Sequence, residues 1–134
     1  MSQSPSHDQE ILSLNQSLLE AALGGDWNRY SALCSPTLSC FEAESNGMLV
    51  EGLAFHRFYF PSEVQLQEQA DEPAFVVTMA RPHLRWLSSD AVVLSYTRLV
   101  QRMHGGEAVT SSCPETRIWE RENGNWKLVH VHRG

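Results

Sequence analysis

The last third of the chain constrains the fold most, because it has the pattern of three long strands joined by two tight turns. The strands are predicted at 91–103, at about 107–120 and at 126–133. Gly105 and Gly106 lie in the first turn, and the dipeptide Asn123-Gly124 in the second is suited to a type I′ hairpin. Two consecutive long hairpins indicate a core built on an antiparallel sheet.

In each of these strands, one arginine also occupies a position where the alternating pattern places apolar side chains. Successive side chains point to opposite faces of a strand, so residues two apart share a face. The shared faces are Val92, Leu94, Tyr96, Arg98 and Val100 in the first strand, Glu115, Arg117 and Trp119 in the second, and Val129, Val131 and Arg133 in the third. Three guanidinium groups are therefore predicted among apolar neighbours.

A guanidinium group in such surroundings needs a partner, because an unpaired buried charge is costly. The partner can be a carboxylate of the protein, and the candidates are Glu42, Glu44, Glu115 and Glu120. It can also be an anionic ligand, which the planar guanidinium fork binds in bidentate fashion. The residues alone leave both alternatives open, and the two are compatible.

The composition limits the class of protein. A length of 134 residues with 42% hydrophobic content predicts one domain, 1–134, in which residues 1–5 are expected to be disordered. A net charge of −6 argues against nucleic acid as a partner, since sequence-independent binding needs a basic surface. No apolar run has the roughly 18 residues of a membrane span, so no membrane partner is expected.

The cysteines and the first residues predict a cytoplasmic location. Cys34, Cys40 and Cys113 are odd in number and have no CxxC spacing, which is typical of reduced thiols. The polar and acidic start of the chain does not resemble a secretory signal.

The first two thirds of the chain add helices and shorter strands. An amphipathic helix starts near Ser4 or Ser6 and ends at Gly24-Gly25, and Asp26 then caps a short helix that Pro36 stops. The remaining predictions are a strand at 37–43, a short helix at 53–60, a mobile segment at 61–73 and two strands, 74–80 and 83–88, separated by Arg81-Pro82. The fold class is therefore α+β, with the helices grouped at the start.

No cofactor, metal or catalytic residue is predicted from these patterns. His130 and His132 share one strand face, but no third metal ligand stands out. Cys34 has no evident base beside it and is a poor nucleophile candidate.

Several segments resemble the association, or hub, domain of calcium/calmodulin-dependent protein kinase II. They are GDWNRYSALCSP (25–36), CFEAESNGMLVEG (40–52), FHRFYF (55–60), YTRLVQ (96–101) and ETRIWERENGNWKLVHVHR (115–133). The resemblance covers about residues 9–133. It implies the nuclear transport factor 2-like fold, in which a cone of strongly bent antiparallel sheet encloses N-terminal helices, and assembly into dimers that can stack into rings.

The resemblance also implies a binding site. Hub domains have a deep arginine-lined pocket for small carboxylates, and its arginines correspond to Arg98, Arg117 and Arg133, with His56 as the pocket histidine. We expect His56 at the wall of this cavity and Tyr96 near its floor.

The sequence also departs from the kinases. Its 134 residues contain neither a kinase domain nor a calmodulin-binding segment, which predicts a free-standing hub-like protein. Residues 61–72 do not follow the family, and Val64 replaces an aromatic residue that the kinase hubs use as a pocket flap.

Two classes of function follow. The first is a self-assembling domain that binds a small carboxylate or other anion. The second is an enzyme, because relatives with the cone fold act as isomerases, dehydratases and cyclases. His56 is the evident proton carrier, and nearby arginines would lower its pKa and leave it neutral near pH 7. A buried carboxylate facing the arginines would favour binding, whereas one in an apolar part of the cavity would favour proton transfer.

An assembly of at least two subunits is also predicted from the C-terminal strands. Their outer faces are expected to carry Val93, Leu99, Ile118 and Leu128. A sheet with apolar side chains on both faces needs a cover for the second face, and a second copy of the chain can supply it.

Overall fold

A computed structural model describes residues 5–42, 45–59 and 74–134. Two α-helices, α1 (Pro5–Gly24) and α2 (Trp27–Leu33), precede a 3-10 helix, η1 (Leu53–Tyr59). The strands are β1 (Cys34–Phe41), β2 (Val50–Glu51), β3 (Phe75–Ser88), β4 (Ala91–His104), β5 (Glu107–Glu122) and β6 (Asn125–Arg133). None of the helices in the described ranges is long and apolar enough to cross a membrane.

The six strands form one sheet in the order β2-β1-β6-β5-β4-β3. The α+β class is confirmed, and the three long C-terminal strands are consecutive neighbours, as their turns predicted. One pairing differs from the prediction of an antiparallel sheet, because β1 runs parallel to β6. The chain reaches this edge by a long connection, and only such a connection allows parallel neighbours.

The core lies between α1 and the inner face of the sheet. Ile11, Leu18 and Leu19 are fully or almost fully buried on one side of α1, at the spacing that one helix face requires. Asn15 lies among them and accepts a hydrogen bond at 3.0 Å from the indole N–H of Trp119, on β5. This bond satisfies two buried polar groups and fixes α1 across the sheet.

A bulge in β6 corrects one prediction about the sheet faces. Ile118 pairs with His130, but the next residue of β5, Trp119, pairs with Leu128, so Val129 is the extra residue. Leu128 therefore lies in the core and is fully buried, not on the outer face as its alternation predicted. A bulge shifts the alternation by one residue, and the hydrophobic pattern of a short strand does not reveal it.

The two strands predicted around Arg81-Pro82 are one strand, β3, with a bulge. The pairing with β4 shifts between Ala80 and His83, and Arg81 has a φ of 52°. β3 is an edge strand, so Pro82 removes no hydrogen bond from an inner neighbour.

Capping and turn residues predicted the start of α2 and the turn of the last hairpin correctly, whereas the start of β1 differs. The carboxylate of Asp26 caps α2 by accepting a hydrogen bond from the backbone N–H of Arg29 at 3.1 Å. Asn123 and Gly124 have φ angles of 51° and 82°, as a type I′ turn requires. β1 begins at Cys34, three residues earlier than predicted.

Two predictions fall wholly or largely outside the described residues. The mobile segment predicted at 61–73, which includes Val64, lies outside them. The disorder predicted for residues 1–5 concerns residues 1–4, which are not described, and Pro5, which is the first residue of α1.

Candidate functional site

The candidate site lies on the inner face of the sheet, where two rows of paired residues cross the strands. One row is Leu94, Arg117, Val131 and Cys40, on β4, β5, β6 and β1 in that order. The adjacent row is Tyr96, Glu115 and Arg133. Glu42 is the first residue after β1. Arg98 follows Tyr96 by two residues on β4, so the two share a face of the strand. The arginine cluster is our name for the charged residues Arg98, Arg117, Arg133, Glu42 and Glu115 together with Tyr96 and His56.

Glu115 is the centre of one half of the cluster. Its side chain is fully buried, and Arg117 approaches its Oε1 atom to 3.3 Å while Arg98 approaches its Oε2 atom to 3.5 Å. The hydroxyl of Tyr96 donates to Glu115 Oε1 at 2.6 Å and accepts from Arg117 Nε at 2.9 Å. The carboxylate of Glu115 therefore pairs with the guanidinium groups of Arg98 and Arg117. The phenol of Tyr96 bridges this carboxylate to Arg117.

Glu42 is the centre of the other half. Its Oε1 atom lies 3.7 Å from Arg133 Nε and 3.9 Å from His56 Nδ1. Arg133 is directly opposite Glu115 in the sheet, so the two halves are adjacent. The structure thus brings all five predicted site residues into one cluster.

Burial and charge set the protonation states here. Burial, with the charges of Arg117 and Arg133, lowers the pKa of His56 to about 4, so its imidazole is neutral at pH 7. Burial raises the pKa of Tyr96 to about 12, which keeps the phenol protonated. Burial alone would lower the pKa of Arg117, but Tyr96 and Glu115 raise it by more, so the guanidinium stays charged.

His56 has a second set of contacts that the sequence did not indicate. Its Nδ1 atom lies 2.9 Å from the hydroxyl of Tyr30, on α2, and its Nε2 atom lies 3.3 Å from Cys40 Sγ. The sequence patterns indicate neither Tyr30 nor Cys40 as a site residue. The spacing of Cys40 from Leu38 could have indicated its position. The two are separated by one residue, which places both side chains on the inner face of β1.

Cys40, Glu42 and His56 could also supply three metal ligands. One ligand atom from each lies within 4.8 Å of the others. A thiolate, a carboxylate and an imidazole suit zinc, but Arg117 and Arg133 act on His56 electrostatically and oppose a further cation. His130 and His132 lie on the other side of β6, where Ser39 holds His130 Nδ1 at 2.8 Å.

A cleft of about 530 Å³ adjoins the cluster. Its described lining is Phe41, Glu42, Gly47, His132, Arg133 and Gly134. Glu42 and Arg133 thus belong both to the cleft and to the cluster. A single cavity shared by all three arginines stays a prediction.

Comparison with known proteins decides the family. A model of the calcium/calmodulin-dependent protein kinase II association domain matches residues 7–134. The chain belongs to this association domain family. The δ subunit of the kinase from Oryctolagus cuniculus is 40% identical over 126 residues, which are 93% of this chain and 23% of the relative. The chain therefore spans about a quarter of the length of that kinase.

Solved structures agree with this assignment. The hub homology domain of Chlamydomonas reinhardtii is 42% identical, with a TM-score of 0.83 over 95% of this chain and 96% of the other. A nuclear transport factor 2-like protein from Rhodospirillum rubrum has 23% identity and a TM-score of 0.66 over 92% of this association domain and 96% of the other chain. The second likeness concerns the fold alone and confirms the predicted cone architecture.

Proposed function

We propose that this association domain assembles with copies of itself and holds one small carboxylate among its arginines. The observation that carries the anion site is Arg117, which is only 4% exposed. Its Nη1 atom is buried and has no hydrogen-bond partner among the described residues. A buried N–H group without a partner is costly, so a ligand that accepts from Nη1 gains the full value of the bond.

The charges of the cluster point to the same ligand. Arg98, Arg117 and Arg133 carry three positive charges, whereas Glu42 and Glu115 carry two negative charges. His56 is neutral at pH 7, so among the described residues of the cluster the positive charges exceed the negative charges by one. A monocarboxylate supplies one negative charge together with charge-assisted hydrogen bonds.

The guanidinium of Arg117 is also held in place before a ligand arrives. Tyr96 and Glu115 bind its Nε and Nη2 atoms, which leaves the Nη1 corner of the fork for a ligand. A side chain already fixed by its neighbours loses little conformational entropy on binding, and affinity benefits accordingly.

The enzyme alternative receives less support. Proton transfer next to a carbonyl requires a carboxylate or imidazole of tuned pKa beside the substrate. Glu42 and Glu115, the buried or nearly buried carboxylates of the cluster, both pair with arginines. This arrangement favours binding over catalysis.

Self-assembly is supported by the outer face of the sheet. Val93 on β4 pairs with Ile118 on β5, and Leu99 lies further along β4 on the same face, all of them half-buried in a single chain. A second copy would cover this apolar surface. Light scattering should give a multiple of 15.1 kDa at micromolar concentration, and a 15.1 kDa species would refute assembly.

A thermal-shift screen of small mono- and dicarboxylates tests the anion site. A ligand at roughly 100 times its Kd stabilises the folded state by about 2.7 kcal/mol, which raises Tm by several degrees. Arg117→Gln should abolish this shift, and Arg117→Lys should weaken it because an ammonium cannot make a bidentate contact. Arg85→Gln, at an exposed position of β3, is the matched control. The site is refuted if no carboxylate stabilises the wild type, or if Arg117→Gln responds as the wild type does.

A further inference from the structure

Two histidines lie on the outer face of β6, on the side of the sheet away from the arginine cluster. His130 and His132 are separated by Val131, which is buried on the inner face. Residues two apart on a strand share a face and are roughly 6.7 Å apart, so two imidazole rings at this spacing can reach one ion. Imidazole nitrogen is a usual ligand of zinc, at about 2.0–2.1 Å. One strand therefore supplies two ligands of a metal site.

Ser39 sets the tautomer of His130. The two residues are paired across β1 and β6, and the Ser39 hydroxyl lies 2.8 Å from His130 Nδ1. The single proton of this hydroxyl is directed at the carbonyl oxygen of Val129, at 3.5 Å, so the hydroxyl oxygen accepts the Nδ1–H of His130. The lone pair of the ring is then on Nε2. Metal-binding histidines almost always donate their other ring N–H in this way, which fixes the ring and strengthens the ligand.

The ring of Phe41, the last residue of β1, packs against both imidazoles. Its centroid lies 6.2 Å from that of His130 and 5.3 Å from that of His132. An apolar shell around a metal site limits the access of water to the ion. Side chains already held by their neighbours also lose little conformational entropy when a ligand binds. Phe41 therefore prepares the pair for an ion.

The charges around the pair differ from those around His56, another potential metal ligand. Burial, together with Arg117 and Arg133, lowers the pKa of His56, whereas burial and the charge of His132 lower the pKa of His130. The arginine charges that oppose a cation at His56 are therefore weaker at His130. The lowered pKa of His130 also leaves its imidazole neutral at pH 7, as a metal ligand must be.

A single chain leaves this site incomplete. Structural zinc has four ligands in tetrahedral geometry, and the pair supplies two. His130 is directly opposite Ile118, in the part of the outer face that we propose as the contact between two copies. A two-fold axis presents the same patch of both copies to each other, so the second copy brings its own histidine pair. Two pairs together give the four ligands.

We propose that His130 and His132 bind zinc on the outer face of the sheet, and that the same pair of a second copy completes a four-histidine site. The inference rests on the proposed self-assembly. Zinc held by four imidazoles bridges the two chains, and it stabilises the assembly because only the associated state offers all four ligands.

Calorimetric titration of the untagged, metal-stripped full chain with zinc chloride at pH 7.5 tests the site. We expect one zinc ion for two chains. His130→Ala and His132→Ala should each remove this binding, and Ser39→Ala should weaken it by about 10–100-fold, the usual effect of losing the hydrogen bond behind a metal ligand. The matched control is His104→Ala, at an exposed position of β4, which should bind zinc as the wild type does.

Cobalt(II) in place of zinc identifies the ligands. A cysteine thiolate bound to cobalt gives an intense near-ultraviolet charge-transfer band, which imidazole does not give. We expect the visible bands of tetrahedral cobalt without the thiolate band, and their loss in His132→Ala. A thiolate band that persists in His132→Ala would place the metal at a cysteine and overturn the proposal.

Light scattering over a dilution series, with zinc and with EDTA, separates this inference from the proposed function. Zinc at roughly 100 times its Kd should lower the dissociation constant of the two copies by about 100-fold. One zinc ion for each chain, or equal zinc affinity in the wild type and His132→Ala, overturns the inference. If the protein then still has a multiple of 15.1 kDa in EDTA, self-assembly stands without the metal site. A 15.1 kDa species in both zinc and EDTA refutes both proposals.

Discussion

Five charged side chains lie together on the inner face of the sheet, and each arginine among them has a carboxylate partner. Arginines in the inward half of a strand pattern had to find partners, and Glu42 and Glu115 are those partners. Tyr30 and Cys40 were not recognised as members of the site. A phenol or a thiol can be buried as part of an ordinary core, so its place in the sequence does not demand a partner.

The protonation of His56 should make the protein less stable in mild acid. Its folded pKa, about 4, is below the ordinary value of 6.5, so the unfolded chain takes up a proton that the folded chain refuses. The stability contribution is complete above about pH 7 and is lost as the pH falls towards 4. After allowance for solvent screening, the loss is about 2 kcal/mol.

Urea unfolding at pH 7.5 and pH 5 measures this effect. His56→Gln keeps hydrogen-bonding groups near Tyr30 and Cys40 but does not titrate, so the wild type should lose more stability than the variant between the two pH values. Equal losses would show that other groups carry the acid sensitivity.

At the scale of elements, the sequence predicted which segments are helices and strands better than how the strands pair. Caps and turn residues gave the limits of α2 and of the last hairpin because their effects are local. The bulge at Val129 and the parallel partnership of β1 with β6 depend on packing between distant segments. No local pattern contains that information, and Leu128 was assigned to the wrong face for this reason.

The last hairpin depends on a left-handed residue, Gly124, with φ of 82°. A Cβ atom added there meets no other atom within 4 Å, so Gly124→Ala tests backbone strain without a steric clash. We expect a loss of about 1–2 kcal/mol in the free energy of unfolding.

Gly24→Ala is the matched control for this experiment. Gly24 is the last residue of α1, and an added Cβ would make only an ordinary contact with Phe75 at 3.9 Å. Alanine favours the helix, so this variant should be neutral or stabilised by up to about 1 kcal/mol. Thermal or urea unfolding compares the two, and an equal loss in both would argue against strain at the turn.

At the scale of the whole molecule, the outer face of the sheet should control assembly. Ile118 is half-buried there, between Val93 and His130 in the pairing of the strands. Ile118→Glu would place a charge in the proposed interface, where it must lose its hydration without a partner. The variant should shift the mass in light scattering towards 15.1 kDa.

The control for assembly is Ser89→Glu, at an exposed turn position between β3 and β4. Circular dichroism should show that both variants keep their secondary structure. A folded Ile118→Glu protein with the mass of the wild type would place the interface elsewhere.

The parallel contact between β1 and β6 has a consequence for synthesis in the cell. Ser39 contacts His130, 91 residues later in the chain. At roughly 5–20 residues per second, the ribosome makes β1 about 5–18 s before its strand partner exists. During that interval Leu38 and Cys40, both fully buried in the folded protein, have no sheet to cover them. The newly made chain therefore exposes an apolar strand and an oxidisable thiol to chaperones and oxidants, and folding removes both from their reach.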